Sequence, residues 1–412
     1  MIDSAPFELL ADAVRRHGSP LWAYDAKTII DRIENLQDFD TVRYAQKANP
    51  NVHILRLMRA RGLVLDAVSL GEIERALAAG ASFDGQPAGV VLTCDVLDQV
   101  TLARVIESRI EVNAGSIDML RQLGERSPGH RVWIRINPGF GHGHSRKTNT
   151  GGENSKHGIW HEQLGEALDC IRTYDLHLVG VHMHIGSGVD YEHLEQVARS
   201  MIELVGQLDR DIEAFSIGGG LSVPYRRTDM PVDIQRYART WAAARKEIEE
   251  VLGHSVRMEI EPGRYLIAES GYLVTEVRAV KQMGRTTFIL VDAGFNDLMR
   301  PALYGSYHRM TLLDANGIPV SRPLQPTMVA GPLCESGDVF TQDEHALAAQ
   351  DLPQAHVGDL LVIHDSGAYG ASMSSNYNSR PLLPEVLIEN ASFRMIRRRQ
   401  NIQDLLNMEL CI

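Results

Sequence analysis

VRYAQKANPN, residues 42–51, begins the pattern from which the fold of this chain is predicted. Four of its first five residues suit a buried strand, provided that Arg43 faces outward, and Asn49-Pro50 opens the next segment. Lys47 ends the run, although an unpaired charge at the end of a core strand costs free energy. This placement predicts that the amine of Lys47 has a chemical role.

The same alternation of a short apolar run and a helical stretch continues along the chain. Helical periodicity marks the intervening segments, such as 26–36, and several of them end in a glycine suited to a helix C-terminus. Eight such β–α units predict a (β/α)8 barrel over residues 25–270. The eight apolar runs are 42–48, 63–69, 89–93, 110–116, 131–139, 178–186, 214–220 and 256–264.

In a (β/α)8 barrel the chemistry lies where strands end and the following loops begin. Polar or glycine-rich residues stand at this end of five predicted strands. They are Lys47, Arg135 with Asn137, His184 to Ser187, Gly218 to Gly220, and Glu261 to Arg264. Because five strands agree, we expect these residues to surround one site.

Length, net charge and cysteine spacing exclude several classes of function. With 412 residues, the chain is long enough for two or three domains. A net charge of −12 argues against nucleic acid or an acidic membrane surface as a partner. The four cysteines lack CxxC spacing, and no apolar stretch reaches the length of a membrane helix. We expect a cytoplasmic protein with no disulfide framework.

The chain changes character after residue 270. Strand-like runs such as TTFILVDAG and DLLVIHDSG predict a mostly β second domain, formed by residues 271–412 with residues 1–24. Two polar insertions interrupt the barrel pattern, the Gly/His-rich loop 139–158 and the segment RTDMPVDIQ (227–235). The long loop is more typical of a mobile lid over the site than of a metal site.

The motif HMHIGSG (182–188) has two interpretations. Two histidines on one strand face can bind a metal at a barrel mouth. That interpretation needs an Asp from another strand end, but the eighth strand ends in EPGR and the seventh in GGG. We therefore expect no metal.

The second interpretation uses all of these pieces together. Backbone N–H groups around Gly218–Gly220, Gly186 and Ser187 suit a small anion. Lys47 offers an amine that burial can deprotonate for imine formation, and His184 can lie flat against a planar ring. Glu261 offers a carboxylate for a ring nitrogen. Together these features predict pyridoxal 5′-phosphate (PLP), with a protonated ring nitrogen that favours loss of CO2 from Cα.

The second domain contains GPLCESGD (331–338). A cysteine is usually buried, but the polar neighbours of Cys334 predict an exposed loop. A thiol there could return the proton after CO2 leaves, which is worth about 10²- to 10⁴-fold in rate. Tyr369 lies in a GAYG turn that favours display of its side chain. Tyr377 follows in the same segment and is equally consistent with ordinary packing.

These motifs resemble the fold-type III PLP-dependent decarboxylases. The resemblance covers residues 20 to 400 and is carried by YAQKAN, HMHIGSG, GGGL, EPGR, GPLCESGD and GAYGASMSSNYNSRP. It implies a homodimer with active sites at the subunit interface and a small amino acid as substrate. It also implies that Cys334 is the proton donor and reaches the site from the partner subunit, with Glu335 beside it.

The resemblance assigns further residues to the cofactor. Lys47 would form the imine, His184 would stack on the ring, Glu261 would pair with the ring nitrogen, and Arg135 would reach the ring hydroxyl. The residues expected around the phosphate and its approaches are Ser187, Gly218, Gly219, Gly220, Pro262, Gly263, Arg264 and Tyr369.

Substrate choice depends on NDLMRPALYGSYH (296–308). In this family an Arg-Pro…Tyr segment is typical of members that act on diaminopimelate, whose far end carries a second carboxylate. Arg300 and Tyr304 would bind that end, with Arg264, Glu335 and Tyr369. The expected reaction converts meso-diaminopimelate to L-lysine and CO2, the last step of lysine biosynthesis.

Two alternatives stay open. One is a decarboxylase for a related diamino acid, which the presence of Arg300 argues against. The other is a non-catalytic regulator with the same fold, which Lys47, Glu261 and Cys334 argue against. One departure from the family pattern is His157, where many members carry Phe. It predicts a different selectivity or pH dependence if the loop 139–158 closes over the substrate.

Overall fold

The computed structural model describes residues 5–83, 85–141, 150–184, 186, 188 and 190–409. The chain divides into two compact units. The barrel unit contains Asp31–Val223 and Pro231–Leu266, and the β unit contains Met1–Ile30, Pro224–Met230 and Ile267–Ile412. The domain boundaries read from the sequence stay a prediction, and nothing in the sequence indicated that 224–230 groups with the β unit.

The elements of both units follow in chain order. The helices are α1 Phe7–His17, α2 Ala26–Glu34, α3 Val52–Ala60, α4 Leu70–Ala78, α5 Gln99–Ser108, α6 Ile117–Gly124, α7 Leu164–Thr173, α8 Tyr191–Gly206, α9 Ile234–Leu252, α10 Arg264–Ile267, α11 Arg300–Tyr304 and α12 Ile402–Leu406. The strands are β1 Leu21–Asp25, β2 Thr41–Ala45, β3 Val64–Ala67, β4 Val90–Cys94, β5 Glu111–Ala114, β6 Arg131–Asn137, β7 Ile159–Trp160, β8 His177–His182, β9 Ala214–Ser216, β10 Arg257–Ile260, β11 Gly271–Met283, β12 Thr286–Val291, β13 Met310–Leu313, β14 Leu324–Ala330, β15 Gln350–Pro353, β16 Leu360–Ile363, β17 Glu385–Glu389 and β18 Ser392–Arg397.

The barrel unit is a closed parallel sheet surrounded by helices. Over the described residues its strands pair in the order β2, β3, β4, β5, β6, β8, β9, β10, and β10 returns to β2. The predicted (β/α)8 barrel is therefore confirmed. Most of the predicted runs extend past the observed C-terminal ends of the strands, because their polar residues belong to the loops that follow.

Local sequence explains the regular alternation of strand and helix. Helices α3, α4, α5 and α6 each begin after an Asn, Ser or Asp whose side chain accepts a backbone N–H of the first turn. Such caps satisfy donors that a helix cannot pair internally. Each strand can thus end in a short loop that starts the next helix, which repeats the β–α unit.

Arg43 does not face outward as predicted. Its side chain is 1% exposed, and its Nη2 lies 2.7 Å from Oε2 of Glu259, which is itself fully buried. A second nitrogen of Arg43 donates to the carbonyl oxygen of Ala88 at 3.0 Å. A buried charge is tolerated when it is paired and hydrogen-bonded, so β2 carries an internal ion pair instead of a solvent-facing arginine.

The β unit confirms the predicted mostly β second domain. Its main strand order is β15, β14, β12, β11, β1, β17, β18, and β16 pairs with β11 and β13. The N-terminal strand β1 lies inside this sheet, antiparallel to β11 and parallel to β17. Helix α1 covers one face through Leu10 and its neighbours, which join the core around Val274 and Val386. Among the described residues, no helix has the length and hydropathy needed to cross a bilayer.

Candidate active site

Lys47 stands immediately after a barrel strand. Strand β2 ends at Ala45, and Gln46–Ala48 form a single 3-10 turn that carries the lysine. The side chain of Lys47 is exposed, although both of its neighbours in the turn are buried. The expected desolvation of its amine is therefore not supplied by the described residues of a single chain.

Glu261 follows β10 and is held by two neighbouring strand ends. Its Oε2 lies 2.7 Å from Nε2 of His182, the last residue of β8. Its Oε1 accepts a hydrogen bond from the hydroxyl of Ser216, the last residue of β9, at 2.8 Å. The backbone joins the same elements, because the N–H of Glu261 donates to Gly218 O. The carboxylate is thereby fixed in direction.

These contacts set the charge of Glu261. Burial by itself would raise the pKa of this carboxyl group, but His182, Ser216 and the more distant Arg43 lower the pKa to about 2. Glu261 therefore carries a full negative charge at neutral pH. In the described part of the chain, the other ring nitrogen of His182, Nδ1, is buried without a hydrogen-bond partner. Neither His182 nor Ser216 was among the residues predicted for the site.

His184 lies beyond the end of β8, so the two histidines of the HMH motif have different surroundings. Nδ1 of His184 accepts the N–H of Gly219 at 3.2 Å, and its carbonyl oxygen accepts the hydroxyl of Thr150. Burial, followed by the charges of Arg135 and Lys47, holds the pKa of His184 well below its usual value. The imidazole is therefore neutral and oriented, as stacking on a planar ring requires.

The glycines of the GGG run are required by close backbone approach. A Cβ at Gly218, Gly219 or Gly220 would lie 2.6, 2.4 and 2.4 Å from the carbonyl oxygens of Met183, Glu261 and Gly186, respectively. Gly188 N donates to Gly220 O at 2.9 Å, which joins this run to the HMHIGSG motif. Ser187, predicted to bind phosphate, lies outside the described residues.

The EPGR motif joins β10 to β2. Pro262 O accepts the N–H of Ala45 at 3.2 Å, and a Cβ on Gly263 would lie 3.3 Å from the Cβ of Ala45. Arg264 is half-buried and begins α10. A Cβ on Gly263 would also lie 3.3 Å from the Cβ of Ala48, so the motif packs against the turn that carries Lys47.

Two further ionisable residues belong to the same strand ends. Arg135 in β6 is 7% exposed, and its guanidinium forms no hydrogen bond within the described segments. Asp66 in β3 is 3% exposed. Its burial, together with the negative charge of Glu261, raises the pKa of its carboxyl group to about 8, despite the opposing effect of Lys47. Sequence reasoning missed Asp66, although its position near a strand end was the available signal.

The middle of the predicted lid, residues 142–149, lies outside the described residues. Its described flanks are tied down. Asn137 Oδ1 accepts the N–H groups of Gly139 and Gly152, and Nδ1 of His157 lies 2.5 Å from Oδ2 of Asp95. Although burial opposes it, the hydrogen bond to His157 helps to lower the pKa of Asp95. The histidine that departs from the family pattern thus has a structural partner.

In the β unit, Cys334 lies on an exposed loop as predicted, and Glu335 beside it is also exposed. The loop is held through its backbone. Asn378 Oδ1 accepts the N–H of Cys334 at 3.0 Å, and the carboxylate of Asp338 accepts the N–H groups of Leu333 and Phe295 at 2.8 and 2.7 Å. The thiol is displayed while its backbone is fixed.

The predicted substrate residues of the β unit lie on short turns. Arg300 begins α11 and is 5% exposed, whereas Tyr304 at the end of this helix is half-buried. Tyr369 is half-buried and has a φ of 57°, a left-handed conformation that a non-glycine residue rarely adopts. This conformation agrees with the turn predicted from GAYG. Over the described ranges, no group of three or more His, Cys, Asp or Glu side chains could hold a metal.

Known proteins resemble this chain over most of its length. Residues 27–268 match the family described as "Pyridoxal-dependent decarboxylase, pyridoxal binding domain". Diaminopimelate decarboxylase of Escherichia coli K12 is 62% identical, over 95% of this chain and 94% of that protein. The enzyme of the same name from Streptomyces coelicolor is 60% identical, over 97% of this chain and 91% of that protein. The chain belongs to the diaminopimelate decarboxylase family.

Solved structures agree with this membership of the diaminopimelate decarboxylase family. A crystal structure of diaminopimelate decarboxylase is 60% identical, covers 97% of this chain and 96% of its own, and superposes with a TM-score of 0.94. The Helicobacter pylori enzyme complexed with L-lysine is 30% identical, covers 96% of this chain and 98% of its own, and has a TM-score of 0.86. The chain is accordingly a carboxy-lyase that uses PLP and acts on an amino acid.

The barrel residues of this diaminopimelate decarboxylase family member fit PLP in three respects. Glu261 is ionised and fixed, as a partner for a protonated ring nitrogen must be. Arg135 is a buried cation to which no described residue offers a hydrogen bond. The backbone around Gly218–Gly220 leaves no space for side chains, which suits direct approach to an anion.

Proposed function

We propose that this chain removes CO2 from the D-centre of meso-diaminopimelate and releases L-lysine. The observation that carries the proposal is Arg300, a guanidinium that is only 5% exposed on a turn of the β unit. A substrate with a second carboxylate needs a fixed cation at its far end, and the planar fork of arginine suits it best. The names of the relatives with 60% identity or more support the same substrate.

Each predicted residue has a role in this reaction. Lys47 holds the cofactor through its ε-amine, His184 stacks on the ring, and Glu261 keeps the ring nitrogen protonated. When bound, the cofactor supplies an electron sink for the pair left at Cα when CO2 departs. Cys334 then delivers a proton to Cα. The residues proposed to bind the remaining cofactor groups are Arg135, Ser187, Gly218, Gly219, Gly220, Pro262, Gly263, Arg264 and Tyr369.

Substrate binding is assigned to a second set of side chains. Arg300 and Tyr304 bind the distal carboxylate, and Glu335 binds the distal amine. Arg264 and Tyr369 complete the set. The ionised state of Glu261, with a pKa of about 2, supports the choice of decarboxylation, because a negative partner keeps the ring nitrogen positive and strengthens the electron sink.

The proposal includes a homodimer in which Cys334 and Glu335 act in the site of the partner subunit. The exposure of both side chains in a single chain supports this arrangement. Mixing inactive Lys47→Ala and Cys334→Ala proteins should restore activity to about a quarter of wild type, because half of the dimers then contain one intact site. Complete inactivity of the mixture would show that each site is built from one chain. A cytoplasmic location stays a prediction.

A parallel assay tests the substrate. The purified protein with PLP is given meso-diaminopimelate, L-ornithine, L-lysine or L-arginine, and CO2 is measured. Release from diaminopimelate alone supports the proposal, whereas release from another substrate favours a related diamino-acid decarboxylase. No release from any substrate, with PLP bound, would indicate the regulator. In the same assay Arg300→Ala should raise KM for diaminopimelate far more than it lowers kcat.

A further inference from the structure

The segment Pro224–Met230 groups with the β unit, and the proposed function does not explain why. It follows β9 and precedes α9, so its sequence position is inside the barrel pattern, yet it belongs to the β unit. The sequence showed only a polar insertion here. Its contacts show that it is built around Arg300.

The segment first folds on itself. Oδ2 of Asp229 accepts the backbone N–H of Tyr225 at 3.0 Å and that of Arg226 at 2.8 Å. The N–H of Asp229 donates in turn to Arg226 O at 3.0 Å. A carboxylate that accepts two neighbouring N–H groups fixes the turn, and so the directions of the Tyr225 and Arg226 side chains are set before either contacts its partner.

Two reciprocal cation–π contacts then attach the segment to residues 300–308. The guanidinium carbon of Arg226 lies 4.1 Å from the ring centre of Tyr307, and that of Arg300 lies 4.9 Å from the ring centre of Tyr225. The segment thus supplies the cation of one pair and the ring of the other. Arginine stacked on an aromatic ring loses little hydration and keeps its plane parallel to a defined surface.

The hydroxyl group of Tyr225 also holds the guanidinium of Arg300. It accepts a hydrogen bond from Nη1 of Arg300 at 2.7 Å, while Oγ of Ser306 accepts one from Nη2 at 3.3 Å. The ring of His308 packs edge-on against Tyr225, with centroids 5.5 Å apart, and holds the tyrosine in place. The guanidinium of Arg300 is therefore held by the ring of Tyr225 and, at two of its nitrogens, by hydroxyl groups.

We infer that Tyr225 is a positioning residue that holds Arg300 in the orientation needed to select amino acids with a carboxylate at the far end. The inference rests on the proposed function, in which Arg300 binds that carboxylate. A bidentate arginine–carboxylate pair depends on the orientation of the fork, so a loosened guanidinium loses affinity for a dicarboxylic substrate. It does not lose affinity for an amino acid whose far end carries no carboxylate.

The test compares Tyr225→Phe, which keeps the ring and removes the hydroxyl, with Tyr225→Leu, which removes both. The holoenzyme is assayed for kcat and KM with meso-diaminopimelate. It is also assayed for inhibition by L-lysine, which keeps the distal carboxylate, and by D-lysine, which lacks it. Tyr225→Phe should raise KM about 10-fold, the effect of losing one hydrogen bond to a charged group, and leave kcat within about twofold. Inhibition by L-lysine should weaken about as much as KM rises, whereas inhibition by D-lysine should stay unchanged. Tyr225→Leu should raise KM further, with an unfolding transition showing that it remains folded.

Tyr191→Phe is the matched control. Tyr191 also faces an arginine, with Arg236 4.0 Å from its ring centre, and its hydroxyl accepts the N–H of Asp233, but it lies in the barrel unit on α8. Its kinetics should match wild type. An unchanged KM for Tyr225→Phe, or an equal loss of affinity for diaminopimelate and D-lysine, overturns the inference.

Arg300→Lys separates this inference from the proposed function. A raised KM in Arg300→Lys with an unchanged KM in Tyr225→Phe would refute the role of Tyr225 alone. An unchanged KM in Arg300→Lys would refute the distal carboxylate site itself, and with it the role of Tyr225.

Discussion

Glu261 in the barrel unit and Cys334 in the β unit are both candidate catalytic groups, but the chain holds them differently. Side chains grip the carboxylate of Glu261 directly, through His182 and Ser216, and the group is buried. Cys334 is exposed, and its loop is held through backbone N–H groups that donate to Asn378 and Asp338. The barrel unit thus fixes the charge and the direction of the Glu261 carboxylate before a ligand binds. The β unit fixes the backbone of Cys334 and leaves the thiol exposed to a ligand.

The largest loss of activity is expected for a variant in the barrel unit. Lys47→Ala should lower activity by about a thousandfold or more, as loss of a covalent catalytic group does. The protein should also fail to retain PLP after borohydride treatment, measured by absorbance and mass. Lys246→Ala, which removes an exposed lysine on α9, serves as the control. A borohydride-stable adduct in the Lys47 variant would mean that another lysine holds the cofactor.

Cys334→Ala tests the β side. Removing a positioned proton donor should lower kcat by about 10²-fold or more, while binding of PLP stays as in wild type. Rapid-quench measurement of CO2 against L-lysine formation locates the affected step. Glu335→Gln is the comparison, because Glu335 is also exposed but is proposed to bind the substrate. It should therefore affect KM more than kcat. A Cys334 variant with wild-type kcat would remove the thiol from the reaction.

The grip of His182 on Glu261 predicts a change in pH dependence. Without the imidazole, burial dominates and the pKa of Glu261 rises from about 2 toward or above its ordinary value. Because the group is active as a carboxylate, the acid limb of the kcat/KM profile of His182→Gln should move to higher pH, with about a tenfold loss of activity on the acid side. The measurement is a pH–rate profile with PLP saturating.

His177→Gln is the matched control for this prediction. His177 begins the same strand, and its Nε2 also lies 2.8 Å from a glutamate, Glu213, but half of its side chain is exposed. Its pH profile should match wild type. Equal shifts in both variants would show that the effect comes from strand β8 in general.

The smallest effect concerns the backbone hold on the cysteine loop. Asp338→Asn replaces one carboxylate oxygen by an NH2 group, so either Leu333 N–H or Phe295 N–H loses its acceptor. The cost of such a buried unpaired group is about 1–3 kcal/mol, measured by denaturant unfolding. A fall in kcat of a few-fold should accompany it. Asp343→Asn is the control, because Asp343 also accepts two backbone N–H groups but is exposed.

The sequence predicted the barrel and the mostly β second domain because strand–helix alternation and strand-end polarity are local properties. It failed for Arg43, since its partner Glu259 lies more than 200 residues away in sequence, and a buried ion pair leaves no mark on local hydropathy. His182, Ser216 and Asp66 were missed for a related reason. A polar residue at a strand end is recognisable, but the neighbour that it meets is decided by closure of the barrel.

The candidate site shows the same limit. The motifs indicated Lys47, His184, Glu261, Cys334 and Arg300 as separate residues. The residues that hold them in place have no motif of their own, because their contacts join distant segments. Tyr225 illustrates this, since it follows a barrel strand yet contacts Arg300, 75 residues further along the chain. Ser187 lies outside the described residues, so its role stays a prediction.

Because β1 pairs with β17, this part of the sheet can form only after β17 has been synthesised. Strand β1, Leu21–Asp25, is bordered by β11 and by β17, and β17, Glu385–Glu389, is synthesised more than 350 residues after it. The barrel segments between them can close earlier, while β1 stays without its parallel neighbour until residue 389 has left the exit tunnel. A nascent chain stalled before β17 should therefore contain a protease-resistant barrel and a β1 that proteases cleave.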